Sequence, residues 1–220
     1  VGRIMEPHLF SPAHNPSDSV TKRELYRVAA RLFKEKGYRA TSMQDIANAL
    51  GIQKASIYYY IRTKQDLLTA IARAAMEMLL AEGERIAGAP LPPEEKLREL
   101  LRSHVRLICG SLDLFTVSLR ELTPVNAGDH WREVVALRDR YEALLRAILR
   151  EGMEKGAFRR LDEKLVGFAF LGMVNWTIRW VDPAGEKSPE EIASAWEDLF
   201  LHGVMAQGGG AAVPPNARHG

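Results

Sequence analysis

Across residues 21–204 the apolar side chains recur three and four positions apart, and no segment alternates apolar with polar. That period puts one face of an α-helix toward a core, whereas a half-buried strand requires a period of two. The stripes are Leu25, Val28, Ala29, Leu32 and Phe33; then Met43, Ile46, Ala47 and Leu50; then Leu67, Leu68, Ile71, Ala75, Met78 and Leu79. Further on come Leu97, Leu100, Leu101, Val105 and Ile108, a long run from Trp131 through Tyr141 to Leu149, and a last one at Ile192, Trp196, Leu199, Phe200 and Val204. With no strand pattern and no internal repeat, the chain is all-α, with about nine helices.

Stop and start signals divide the helices. Gly37 ends the first, with Lys34 and Lys36 in its last turn, where cations complement the helix dipole. Thr41 with Gln44 reads as a capping box for the second, and Gly51 closes it. A third, short helix is expected over 53–60, with Ile52 and Ile57 toward the core. Thr63 opens a long helix over 64–87, broken by AGAPLPPEE. PVNAGDH at 124–130 reads as a loop. Asp162 caps a helix over 164–181 that is apolar almost all round and so demands cover on every side. Ser188-Pro189-Glu190-Glu191 supplies an N-cap, a first-turn proline and a capping box.

The 220 residues, 46% of them apolar, suffice for a sizeable core. A single cysteine, Cys109, excludes an intrachain disulfide and fits a reducing cytoplasm. No apolar run approaches the roughly 20 residues of a membrane span, and the N-terminal stretch has no signal-type apolar region. A cytoplasmic protein without membrane contact is expected. The net charge of +2 is unevenly spread. Residues 19–70 carry ten Lys/Arg against four Asp/Glu, and residues 71–220 carry 19 against 22. A basic head on a mildly acidic body is the footprint of a nucleic-acid binder.

Residues 41–68 form the centre of that head. Two short helices joined at Gly51 have helix-turn-helix spacing, and a helix in the major groove must present small and polar groups to base edges. Ala55 and Ser56 permit close approach; Gln53, Tyr58 and Tyr59 offer polar tips; Lys54 and Lys64 face flanking phosphates; Thr41 and Ser42 sit at a helix N-terminus that attracts phosphate. Double-stranded DNA is the expected partner. The run Thr41…Ile46-Ala47…Gly51-Ile52…Lys54…Ile57-Tyr58-Tyr59-Tyr60-Ile61…Lys64…Leu67-Leu68 resembles the N-terminal signature of the TetR family of bacterial transcriptional regulators. Departures are Gln53 where serine is usual, Tyr60 for histidine or phenylalanine, and Ile61 for phenylalanine. The resemblance implies a homodimer on a palindromic operator, and usually a repressor released by a small molecule.

The body carries a second resemblance. Gly172…Asn175-Trp176…Trp180, Asp182-Pro183 and Ser188-Pro189-Glu190-Glu191-Ile192-Ala193…Leu201…Gly203 are similar to the TetR subset that responds to acyl-CoA thioesters. An acyl-CoA requires an apolar tunnel and cations for its phosphates. The expected lining is Leu101, His104, Val105, Arg106, Ile108, Leu112, Phe115, Trp131, Phe170, Met173 and Trp176. His104 either donates to a ligand carbonyl or bonds a backbone carbonyl. Another apolar, multidrug-type ligand, or none, remains open beside the acyl-CoA reading. Trp180, Trp196, Leu199, Phe200 and Val204 on the last helices are expected at the dimer interface.

The expected organisation is a flexible arm (1–18), a helix-turn-helix domain (19–66), a ligand-binding and dimerisation domain (67–207) and a disordered tail (208–220). No catalytic residue, metal or resident cofactor is expected. The sequence holds no HExxH, no Glu-x-x-His, no glycine-rich phosphate loop and no nucleophile elbow.

Overall fold

The computed structural model describes residues 16–205. These form ten α-helices: α1 (Pro16–Lys36), α2 (Met43–Leu50), α3 (Lys54–Tyr58), α4 (Lys64–Ala87), α5 (Pro93–Gly110), α6 (Leu112–Arg120), α7 (Pro124–Ala127), α8 (Trp131–Glu154), α9 (Glu163–Trp176) and α10 (Pro189–Val204). The count exceeds nine because part of the expected 124–130 loop coils into α7, capped by the Thr123 hydroxyl with Pro124 in its first turn. Helix α1 starts at Pro16, so residues 16–18 are helical and not part of an arm. The rest of that arm, 1–15, and the tail, 208–220, lie outside the described residues. Helix α9 stops at Trp176 and gives way to a 3-10 turn, Thr177–Arg179, short of the expected end.

Helix α4 is the axis of the molecule. Leu67, Leu68, Ile71, Ala72 and Ala75 on its first turns are fully buried, and the helix packs on α1 of the head and on α5, α6, α7 and α8 of the body. Helix α1 also rests on α6, where Lys34 Nζ meets Asp113 Oδ1 at 2.8 Å. Helix α10 lies along α5, held by the buried Glu197 carboxylate between the Arg98 and Arg102 guanidinium groups.

The turn after α8 fixes the end of α10. Arg159 N–H donates to the Val204 carbonyl at 2.9 Å, and Phe158 turns its buried ring back over Gly152. A Cβ at Gly152 would overlap the Phe158 ring at Cδ2 and Cε2. Gly152→Ala must therefore displace that ring, and a loss of about 1–3 kcal/mol in a denaturant melt is expected.

Candidate nucleic-acid interface and effector core

Helix α2 is capped by Ser42, not Thr41. The amide of Asp45 donates to Ser42 Oγ at 3.1 Å, and the Ser42 amide donates to Asp45 Oδ2 at 2.8 Å. Both Thr41-x-x-Gln44 and Ser42-x-x-Asp45 satisfy the capping pattern, and the carboxylate is the stronger acceptor for an orphan amide. Hydrogen bonds from the Ser42 side chain and backbone hold Asp45 below the usual carboxylate range. Thr41 is fully buried, its hydroxyl donating to the carbonyls of Gly37 (2.9 Å) and Leu32 (3.2 Å). The expected phosphate contact is thus corrected at Thr41, while Ser42 stays exposed at the N-terminus of α2. The Thr41 hydroxyl faces inward, and the Asp45 carboxylate accepts from the Ser42 amide and hydroxyl beside it.

Gly51 closes α2 at φ 66°, a left-handed conformation that glycine adopts without a Cβ clash, and its amide bonds back to Ala47 and Asn48 carbonyls. The chain reverses there into α3, which is shorter than the expected 53–60. Ile57 alone is buried on α3, while Ile52, expected in the core, is exposed in the turn. A five-residue helix has little stability of its own. Ile57 and Ile61 anchor it against the head, and Gln53, Lys54, Ala55, Ser56, Tyr58 and Tyr59 are left outward. Tyr59 is 80% exposed and stacks edge-on with Tyr60 at 5.1 Å; Lys54 Nζ lies 5.7 Å from the Tyr58 ring centre.

Lys64 is also corrected. Its ammonium donates to the carbonyls of Tyr38 (2.9 Å), Thr41 (2.9 Å) and Arg39 (3.3 Å), and it lies 4.6 Å from the Tyr38 ring centre. All three of its donors are engaged inside the head. The group closes the loop before α2 onto the start of α4 instead of facing outward. The exposed cations at the head's loops are Arg39, before α2, and Arg62, before α4. Sequence reasoning passed over both. Their position in the short connections beside two helix N-termini was the available signal.

In the body, Leu101, Val105, Ile108, Leu112, Phe115 and Phe170 are buried, with Met173 and Trp131 half-buried against them. His104 is 1% exposed, and its Nδ1 lies 3.0 Å from the Tyr141 hydroxyl, so neither expected partner, ligand or backbone carbonyl, is the one observed. Burial lowers its pKa to about 3. Arg106 and Trp176 do not join this core. Arg106 is exposed and leans on Glu99 and the Arg102 carbonyl; Trp176 is 60% exposed and stacks with Arg179. A hollow of about 90 Å³ beside Cys109, Val181, Pro183 and Lys187 is far below the several hundred Å³ of ordinary ligand sites. Burial raises the Cys109 thiol pKa there.

Of the expected dimer residues, Trp180 and Leu199 are exposed, Trp196 and Phe200 half-buried, and Val204 is inside the protomer core. Val204 is therefore corrected to an intrachain role. Leu165, Phe168 and Trp176 on α9 are exposed as well, so that helix leaves an apolar face uncovered within the protomer.

Residues 25–71 match the family model described as "Bacterial regulatory proteins, tetR family", and residues 90–204 match "Tetracyclin repressor-like, C-terminal domain". The chain belongs to the TetR family. This is a family of helix-turn-helix DNA-binding regulators, and the protein is not an enzyme. The TetR regulator PfmR from Thermus thermophilus has a similar structure, with 41% identity, a TM-score of 0.74, and coverage of 81% of this chain and 97% of that one. AibR in complex with isovaleryl coenzyme A and operator DNA is 29% identical at a TM-score of 0.73, covering 82% and 97%. The HTH-type transcriptional repressor KstR2 of Rhodococcus jostii (strain RHA1) is 27% identical over 197 residues, 89% of this chain and 97% of that protein. Among the described residues no helix is long and apolar enough to cross a membrane.

Helix-turn-helix geometry leaves the outward residues of α3 as the candidates for reading a groove. Lys54→Ala and Tyr59→Ala, both at exposed sites, are expected to change stability by less than about 0.5 kcal/mol. Each should weaken DNA binding by about five- to 150-fold, the cost of about 1–3 kcal/mol per lost contact. Fluorescence anisotropy with labelled duplex checks both.

Proposed function

We propose that the protein is a transcriptional repressor that binds a palindromic operator as a homodimer and leaves it when the body takes up an acyl-CoA thioester. The observation that carries this reading is that α4 packs on both α1 of the head, which bears an outward polar α3 through α2, and a closed apolar body. The uncovered apolar face at Leu165, Phe168, Trp176, Trp180 and Leu199 supports association of two copies through α9 and α10. Two heads about 34–36 Å apart match one turn of DNA.

Closure of the body supports release by a ligand. Core side chains at Leu101, Val105, Phe115 and Phe170 are close-packed, so an acyl chain enters only a body whose packing has opened. A ligand that fits only the open body favours that state over the closed one by its whole binding energy. The opening reaches the head through α4, which packs on α5, α6 and α8, and through Gln65, whose amide donates to the Asn126 carbonyl of α7 at 3.1 Å. The CoA thioester is favoured over other apolar ligands by the likeness to AibR, crystallised with isovaleryl coenzyme A. Anisotropy of operator-bound dimer titrated with isovaleryl-CoA and octanoyl-CoA tests the reading. Release by either at micromolar concentration supports it, and failure of both to release the DNA overturns the acyl-CoA effector.

A further inference from the structure

The body core holds one imidazole whose hydrogen bonding is half complete. His104 on α5 is enclosed by Tyr141 of α8 and Phe170 of α9, with ring centres 5.4 Å and 6.1 Å away. Its Nδ1 pairs with the Tyr141 hydroxyl at 3.0 Å. Its Nε2 is shut off from solvent and has no hydrogen-bond partner. The phenol is the better donor of the two groups, so the Tyr141 O–H donates to Nδ1 and the imidazole proton sits on Nε2. Asn175 on α9 brings its side-chain amide close enough to the ring to favour the protonated form, yet it stops short of hydrogen-bond geometry at Nε2. A buried N–H without an acceptor is unfavourable, and native interiors seldom keep one without a use.

We propose that His104 Nε2–H is the polar anchor of the effector site and donates to the carbonyl oxygen of the acyl thioester when α9 parts from α5 and α8. The inference rests on the acyl-CoA reading above. One N–H set among Leu101, Val105, Ile108 and Phe170 matches one acceptor atom at the head of an apolar chain. The imidazole stays neutral, because burial lowers its pKa to about 3. It therefore offers a hydrogen bond without a charge, and it suits a thioester carbonyl better than a free carboxylate, which would demand a cation. Tyr141 fixes the tautomer, making it a positioning residue.

The test compares each thioester with the thioether that lacks its carbonyl: isovaleryl-CoA with S-isopentyl-CoA, and octanoyl-CoA with S-octyl-CoA, by calorimetry on the full chain. The wild type is expected to bind the better thioester about tenfold more tightly than its thioether, the equivalent of one net hydrogen bond. His104→Phe should bind both alike, and His104→Gln, which keeps an amide N–H there, should recover part of the preference. In the wild-type protein the ¹⁵N signal of His104 Nε2 should move with the thioester and stay put with the thioether, a readout independent of how well either variant folds. Equal binding of thioester and thioether by the wild type, or a preference that survives His104→Phe, overturns the assignment while leaving the acyl-CoA reading intact. Binding of none of the four compounds overturns both.

Discussion

Lys64→Met is expected to lower the stability of the head by about 2–4 kcal/mol and to abolish operator binding with it. The ammonium satisfies three carbonyls, those of Tyr38, Arg39 and Thr41, and covers the Tyr38 ring. Hydrogen bonds to a charged donor are each worth about 1.5–3 kcal/mol, and shared ones add up to less than their sum. Removing the donor leaves the Tyr38 and Thr41 carbonyls, both on well-buried residues, without a partner, and releases the loop that sets the start of α2. Helix α3 rests on α2 and is held by Ile57 and, just past its end, by Tyr60 and Ile61, so a displaced α2 costs it its platform. Urea melts followed by circular dichroism measure the stability, and anisotropy measures the binding. A lysine that merely met a phosphate would behave differently. Its loss would leave the melt unchanged and reduce the salt dependence of binding by about one ion.

The second large effect is on acid stability. His104 is neutral in the folded protein because burial holds its pKa near 3, against 6.5 for the free side chain. The unfolded chain therefore takes up a proton that the folded chain refuses between those values. Stability is complete above pH 6.5 and declines as pH falls toward 3, by about 1.4 kcal/mol per pH unit across most of that window. Carboxylates such as Asp45, Glu151, Glu163 and Glu191 are held below their ordinary values, so their contribution is lost at more acid pH. Between pH 6.5 and 5 the difference in slope between wild type and His104→Phe isolates the one histidine. A loss of about 2 kcal/mol over that interval in the wild type, absent from the variant, is the expected result. Denaturant melts at four pH values measure it, and the slopes decide whatever the starting stability of the variant.

How much was legible in the sequence depended on how local the deciding physics is. Helix ends at Asp162, Ser188 and Gly51 were readable because each cap and its hydrogen-bond partner lie within four residues of each other. The buried stripes of α4 and α5 were readable because period and burial coincide. Thr41 and Ser42 could not be ranked as caps, since each has a suitable acceptor three residues on. Lys64 was misplaced because its partners sit 23 to 26 residues earlier, brought to it by the fold alone. On α9 the absence of a polar face removed any means of telling Phe170, which is buried, from Trp176, which is exposed. Arg106 was misplaced because it borders an apolar stripe, and a long side chain can leave its own helix face.

On the proposed reading, α3 contacts DNA from two copies held at a fixed spacing. Selection from a random-sequence duplex library by the purified full chain tests it most directly. Enrichment of a palindrome with half-sites about 10 base pairs apart, or a multiple of that, is the predicted result, lost with Tyr59→Ala. Enrichment of no sequence, or of a single half-site bound equally well by Tyr59→Ala, would exclude groove reading by α3 from a dimer.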